Sequence, residues 1–169
     1  IVECIRTGLV MRLKDRLPHD QCERVEARYQ AMMMTALDDC DGVEGLGPKN
    51  TERLPIMSLR FSQGERELHY GYVTALLNDL FGIQARGGCS CAGPYGHALL
   101  NLDEERSAAL ESAVTSGFGS LRPGWVRVNG HWVSDVEEVD YLIKAIQLIA
   151  QYGHQLLASY TFCHRTGLW

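Results

Sequence analysis

Between residues 54 and 61 the chain reads LPIMSLRF, and Met57, Leu59 and Phe61 fall on every second position. On either side the apolar repeat changes to three and four. This switch limits the possible folds more than any other feature. A period of two belongs to a half-buried strand, and one near 3.6 to an amphipathic helix. Residues 1 to 17 put Val2, Ile5, Leu9, Leu13 and Leu17 along one stripe. Pro18 interrupts it, and a second helix, N-capped by Asp20, carries Val25, Tyr29, Met32, Met33 and Ala36. After a turn at Gly64, Val73, Leu76, Leu77, Leu80 and Phe81 share one helical face, which Gly82 closes. Residues 95 to 116 continue as a helix. SDVE (134 to 137) predicts a capping box of Ser134 and Glu137, opening a helix along Val136, Val139, Ile143, Ile146 and Ala150. Alternation returns in WVRVN (125 to 129), and IQAR (83 to 86) reads as a short strand.

Residues 42 to 53, GVEGLGPKNTER, mix glycine, proline and charge without a stripe and predict a linker. The expected organisation is a helical connector over residues 1 to 53, then an α+β domain over 54 to 169. In that domain helices cover a small, mainly antiparallel sheet. The chain opens with Ile1 inside a helical pattern, which predicts a piece of a longer protein.

A formal net charge of −5 argues against nucleic-acid binding, which needs clustered Lys and Arg. No apolar run reaches the roughly 20 residues that span a bilayer. Glu3, Arg6 and Arg12 are unlike a signal peptide. The six cysteines lack the spacing of a disulfide framework, so reduced thiols and a cytoplasmic location are expected.

Two of those cysteines lie in RGGCSCAGPYGH, residues 86 to 97. The loop admits three readings. Cys89, Cys91 and His97 are chemically suited to zinc, with Cys163 and His164 as further ligands, but Cys-x-Cys is tighter than the usual zinc knuckle. The loop could also be a tight turn with incidental thiols. In the third reading, glycine-rich backbone amides favour a thiolate and His97 helps to form it. Elsewhere, His69 and His131 read as satisfied or surface histidines, Asn78 and Asp79 as local capping, and Trp125, Trp132 and Trp169 as packing residues.

FGIQARGGCSCAGPYGH, with RPGWVRVN downstream and RTGLW at the end, resembles the C-terminal part of the class V aminotransferase group. That group holds the cysteine desulfurases and selenocysteine lyases, pyridoxal-phosphate enzymes of fold type I. The resemblance spans the chain and is strongest from 68 to 130, with residues 1 to 53 similar to the helical segment joining large and small domains. The desulfurase loop reads Arg-Thr-Gly-His-His-Cys-Ala, with proline two residues on. Against it Arg86, Gly88, Cys91, Ala92 and Pro94 fall in register, with Gly87 inside the loop. The resemblance thus implies Cys91 as catalytic thiol and puts Cys89 at a histidine's place. It also implies Arg127 as the residue that holds the substrate's α-carboxylate, a role suited to a planar fork, and Arg86 as a further substrate-binding residue. Both loop histidines of the desulfurases are absent here.

The resemblance further implies an amino-acid substrate and a homodimer of the full protein. None of Lys14, Lys49 and Lys144 stands in a motif resembling the family's cofactor lysine. Pyridoxal phosphate is therefore expected in a longer parent, through its own upstream large domain, and not on this chain. The alternatives are a class V aminotransferase or other pyridoxal-phosphate lyase without a catalytic thiol, and a stand-alone thiol or metal-binding module.

Overall fold

The computed structural model describes residues 1–49, 51–89 and 93–169. Among the described residues, five strands form one sheet in which every pairing is antiparallel: β1 (Val43–Gly45), β2 (Ile56–Gln63), β3 (Arg66–Leu68), β4 (Arg86–Gly88) and β5 (Trp125–Asn129). The spatial order is β1-β2-β5-β4, and β3 folds back on the end of β2 as a hairpin. The alternation in LPIMSLRF sets the two faces. Met57, Leu59 and Phe61 point into the core with Val126 and Val128 of β5. Ser58 and Arg127, opposite each other in the ladder, share the other face.

Helices α3 (Tyr70–Phe81) and α6 (Val136–Tyr152) cover the apolar face. Tyr72, Val73, Leu76 and Leu77 from α3 and Val139, Ile143, Ile146 and Ile149 from α6 are all buried there. At about 2 kcal/mol per fully buried large side chain, this layer is where the fold gains most. Helix α2 (His19–Asp38) packs on α6 and adds Tyr29, Met33 and Leu37 to the same core. The Tyr29 hydroxyl donates to the Ser134 carbonyl at 2.7 Å, fixing α2 to the entry of α6. By contrast, α1 (Val2–Lys14) buries nothing: its stripe of Val2, Ile5, Leu9 and Leu13 is exposed.

Several sequence expectations shift. Residues 43–45, read as linker, form strand β1, and the hairpin strand β3 has no counterpart in the sequence reading. The strand read at 83–86 lies instead at Arg86–Gly88. A three-residue strand is too short to show a period, and backbone pairing alone makes it. The single helix over 95–116 is two, α4 (Gly93–Leu99) and α5 (Glu104–Thr115). Asn101 (φ 52°) turns the chain between them, and the Asp103 side chain caps α5 by accepting from the Arg106 amide. The capping box belongs to Asp135 and Glu138, one residue later than read. Helix α2 starts at His19 with Pro18 ahead of it, so Asp20 lies in its first turn rather than at its cap.

Candidate active site

The thiol loop leaves the sheet at one edge. Helix α3 ends at Gly82 (φ 67°), where the Ile83 amide donates to the Leu77 carbonyl at 2.9 Å. Residues 83–85 then lead into β4, beyond which Cys89 is exposed. Cys91 and Ala92, the predicted nucleophile and its neighbour, lie outside the described residues. The chain resumes in α4, with Gly93 at φ 50° and Pro94 in its first turn, where a missing N–H costs nothing. His97 occupies the last turn of the same helix. The loop therefore spans from a sheet edge to a short helix, and Gly88 (φ 114°) supplies the left-handed residue that starts it.

The two arginines singled out in the sequence meet in the ladder. Arg86 of β4 is the direct cross-strand partner of Arg127 of β5, and Ser58 of β2 is the partner of Arg127 on its other side. Side chains directly opposite in an antiparallel pair share a face. Val126 and Val128 fill the core, so both guanidinium groups belong to the polar face. On that face Arg60 is neutralised by Glu67 at 2.7 Å and Glu44 at 3.1 Å. Among the described residues neither Arg86 nor Arg127 has a carboxylate within 4.0 Å. Two like charges thus stand on opposed positions of neighbouring strands. That arrangement is suited to binding a carboxylate.

Beside the pair lies a cavity of about 310 Å³, lined by Ser58, Trp125, Ile56, Arg53, Tyr95 and Leu99 among others. Ser58 is the ladder partner of Arg127 and Trp125 precedes it by two residues, so the cavity adjoins the arginines on the polar face. Helix α4 closes one wall through Tyr95 and Leu99.

Tyr70, at the start of α3, was not singled out by sequence reasoning. Burial pushes its phenol above the ordinary value, nearby Arg122 opposes this, and Cys89 adds to it. Its ring therefore lies within reach of the loop. His69, read as a satisfied histidine, is one: Nδ1 accepts from the Gly71 amide and from the Trp169 indole, each at 3.0 Å. With Nδ1 an acceptor twice over, Nε2 carries the proton and donates to the Ser120 carbonyl at 3.2 Å. His131 accepts from the Val133 amide at 3.2 Å, and Asn78 donates to Asp79 at 2.9 Å, both local contacts. Trp125 is buried, as expected of a packing residue.

Cys163 and His164 sit in an exposed C-terminal turn closed by a bridge between Cys163 and Leu168. The Thr166 hydroxyl and the Thr166 and Arg165 amides hold the Cys163 thiol below its ordinary value. Among the described residues no group of three His, Cys, Asp or Glu side chains could hold a metal ion. No helix there is long and apolar enough to cross a membrane. The lysines do not fit a pyridoxal-phosphate site. Lys49 pairs with Asp38 at 2.9 Å, Lys144 pairs with Asp140 at 2.5 Å on the exposed side of α6, and Lys14 lies on exposed α1. None lines the cavity beside the arginines.

Residues 1–142 match the family described as Aminotransferase class-V, and the chain belongs to that family. No curated protein matches it. Among solved structures it is similar to the apo structure of a cysteine desulfurase from Thermococcus onnurineus NA1, with a TM-score of 0.59 and 23% identity. The match covers 83% of this chain and 28% of that one, so the chain spans under a third of the desulfurase's length. The likeness establishes a shared α+β fold.

Proposed function

We propose that this member of the aminotransferase class-V family carries the substrate-carboxylate clamp and the thiol loop of a cysteine desulfurase or selenocysteine lyase. The family is pyridoxal-phosphate dependent and acts on amino acids. In this reading residues 1 to 53 arrive from an upstream large domain, which supplies the cofactor and its lysine. The full protein is a cytoplasmic homodimer, and this chain alone takes up no cofactor and turns nothing over. One observation carries the reading: Arg86 and Arg127 stand directly opposite each other in the ladder, Arg86 opening the three-residue strand that leads to the thiol loop.

Within that site the chain's own residues have separate tasks. Arg127 and Arg86 grip the α-carboxylate through charge-assisted hydrogen bonds and fix the amino acid's orientation. The adjoining cavity takes the remainder of the substrate away from bulk water. The Cys91 thiolate attacks the substrate's sulfur: the persulfide S–S bond forms as the substrate's Cβ–S bond breaks, the electron pair goes to the carbon side, and that carbon takes up a proton and leaves as alanine. Cys89 stands where the desulfurases have a histidine, which favours as second reading an aminotransferase or lyase whose thiols only shape the loop.

The test compares three variants of the full-length protein by sulfide and alanine production and by amino-acid binding. Cys91→Ala should abolish sulfide release and leave binding intact. Arg127→Ala should weaken binding by about 10- to 150-fold, the equivalent of about 1.5–3 kcal/mol for hydrogen bonds to a charged group. Cys89→Ala should matter less than Cys91→Ala. Activity that survives Cys91→Ala but not Arg127→Ala would replace desulfuration by the second reading.

A further inference from the structure

Among the described residues three buried side-chain nitrogens have no hydrogen-bond partner: Arg53 Nε, Trp125 Nε1 and His154 Nδ1. Folded proteins leave few such groups, because a buried donor without an acceptor has given up its water and gained nothing in return. Two of the three belong to residues that line one space, the cavity of about 310 Å³ bounded by β2, the segment 46–53 and α4. Trp125 is 4% exposed, so bulk water scarcely reaches its indole.

The chemistry of the lining is one-sided. Arg53 and the indole can only donate. Ser58 adds a hydroxyl, Leu46, Ile56 and Leu99 are apolar, and among the described residues none of those lining the cavity is acidic. Arg53 is not neutralised from elsewhere either. It also borders a second cavity with Glu23, Glu26 and Glu52, yet among the described residues no carboxylate lies within 4.0 Å of it. Its Nη2 donates instead to the uncharged carbonyl of Pro48, itself a lining residue of the first cavity.

We propose that this cavity binds a small carboxylate, with Arg53 and the Trp125 indole as its donors. An ionised carboxylate is acceptor-only, and its two oxygens match the planar guanidinium. Water could accept from either N–H but would leave the charge of Arg53 without a counter-ion. A single positive charge suits a monoanion better than the more highly charged phosphate. The volume is at the small end of ligand pockets, and the apolar walls suit a short hydrocarbon body. Two molecules present that chemistry here. One is a separate monocarboxylate. The other is the far end of an acidic amino acid whose α-carboxylate is held by Arg127, the ladder partner of Ser58 in the cavity wall. Only the second rests on the functional reading above.

Calorimetric titration of the full-length holoenzyme tests the proposal. Arg127→Ala removes the ladder clamp, and butyrate should still bind to that variant at about 1–10 mM, an affinity within reach of so small a ligand. Adding Arg53→Gln should weaken butyrate by about 10-fold or more, as expected for hydrogen bonds to a charged group. Trp125→Phe, which keeps a flat ring without the N–H, should weaken it by about 2- to 10-fold. Should the glutamine variant not fold, Arg53→Lys keeps the charge but not the fork and should also weaken butyrate. Glutamate separates the two sources: weakened by both Arg53→Gln and Arg127→Ala, it identifies the substrate's far end, and weakened by Arg127→Ala alone, a separate monocarboxylate. Butyrate binding that vanishes in Arg127→Ala, or that no Arg53 variant changes, would overturn the proposal. So would displacement of butyrate by an equal concentration of inorganic phosphate. Amino-acid binding untouched by Arg127→Ala would refute the functional reading, and the butyrate titrations would still decide the role of Arg53.

Discussion

Acid should release the C-terminal tail, and His69 is the reason. Its Nδ1 accepts two hydrogen bonds, from the Gly71 amide and the Trp169 indole, each at 3.0 Å. A proton on Nδ1 turns both contacts into donor facing donor. Each neutral hydrogen bond contributes about 0.5–1.5 kcal/mol, so losing the pair costs about 1–3 kcal/mol, or about 5- to 150-fold in the closed-to-open ratio of the tail. Burial holds the imidazole below its ordinary value, against the opposing pull of the Ser120 carbonyl and of Glu67. The sign follows from that direction. The open state takes the proton more readily, so the contribution is whole above about pH 6.5 and is lost as pH falls from there through the folded value.

The measurement is the protection factor of the Trp169 indole N–H, followed by NMR hydrogen exchange from about pH 7.5 to about pH 5. Wild type should lose protection across this range. His69→Asn can still cap α3 through its side-chain oxygen but cannot titrate, so its protection should be lower and flat with pH. Wild-type protection that holds to about pH 5, or an asparagine variant as protected as wild type, would refute the reasoning.

Gly124→Ala should destabilise the fold by about 1–3 kcal/mol in chemical denaturation, because the new Cβ meets backbone that cannot step aside. That backbone is Gly88, 2.5 Å away at Cα and 2.6 Å at the carbonyl carbon, and a near-neutral result would mean that β4 and β5 separate freely. Chelator should leave the melting temperature unchanged, since no three ligating side chains gather among the described residues. One tightly held zinc per chain, with unfolding on its removal, would restore the metal reading of Cys89, Cys91 and His97.

Where one side of an element is buried, the sequence announces it. The alternation of Met57, Leu59 and Phe61 and the stripe of Val73, Leu76 and Leu77 correspond to β2 and α3 because the core selects each of those side chains. β1, β3 and β4 have three residues each, and their pairing is a matter of backbone groups that side-chain identity does not encode. The break at residues 100–103 escaped for a related reason: apolar residues continue through it, and the left-handed Asn101 is a conformation rather than a pattern. The arginines could be found individually, since each sits in a recognisable motif, but their pairing needed the ladder register. Tyr70 left no local signal. Its partners Gly87, Gly88 and Gly124 are remote in the chain, and three glycines around one ring become visible only after folding.

The polar face of the sheet divides its charge unevenly, and this bears on what the site recognises. Arg60 lies in the middle of the sheet and is spent on Glu44 and Glu67, whose hydrogen bonds raise its pKa further. At the other end Arg86 and Arg127 stand directly opposite in the ladder, and like charges so placed on paired strands are destabilising. A fold with no use for that contact would gain by placing an acid there, as it does around Arg60. The chain's net charge of −5 shows that carboxylates are abundant enough to do so. The two positive charges stand instead where β4 begins, opposite each other in the ladder. Under the function proposed above, a carboxylate bound between them relieves a repulsion already built into the ladder. Under that same proposed function, the charge that weakens the β4–β5 edge is what binds the amino acid's carboxylate.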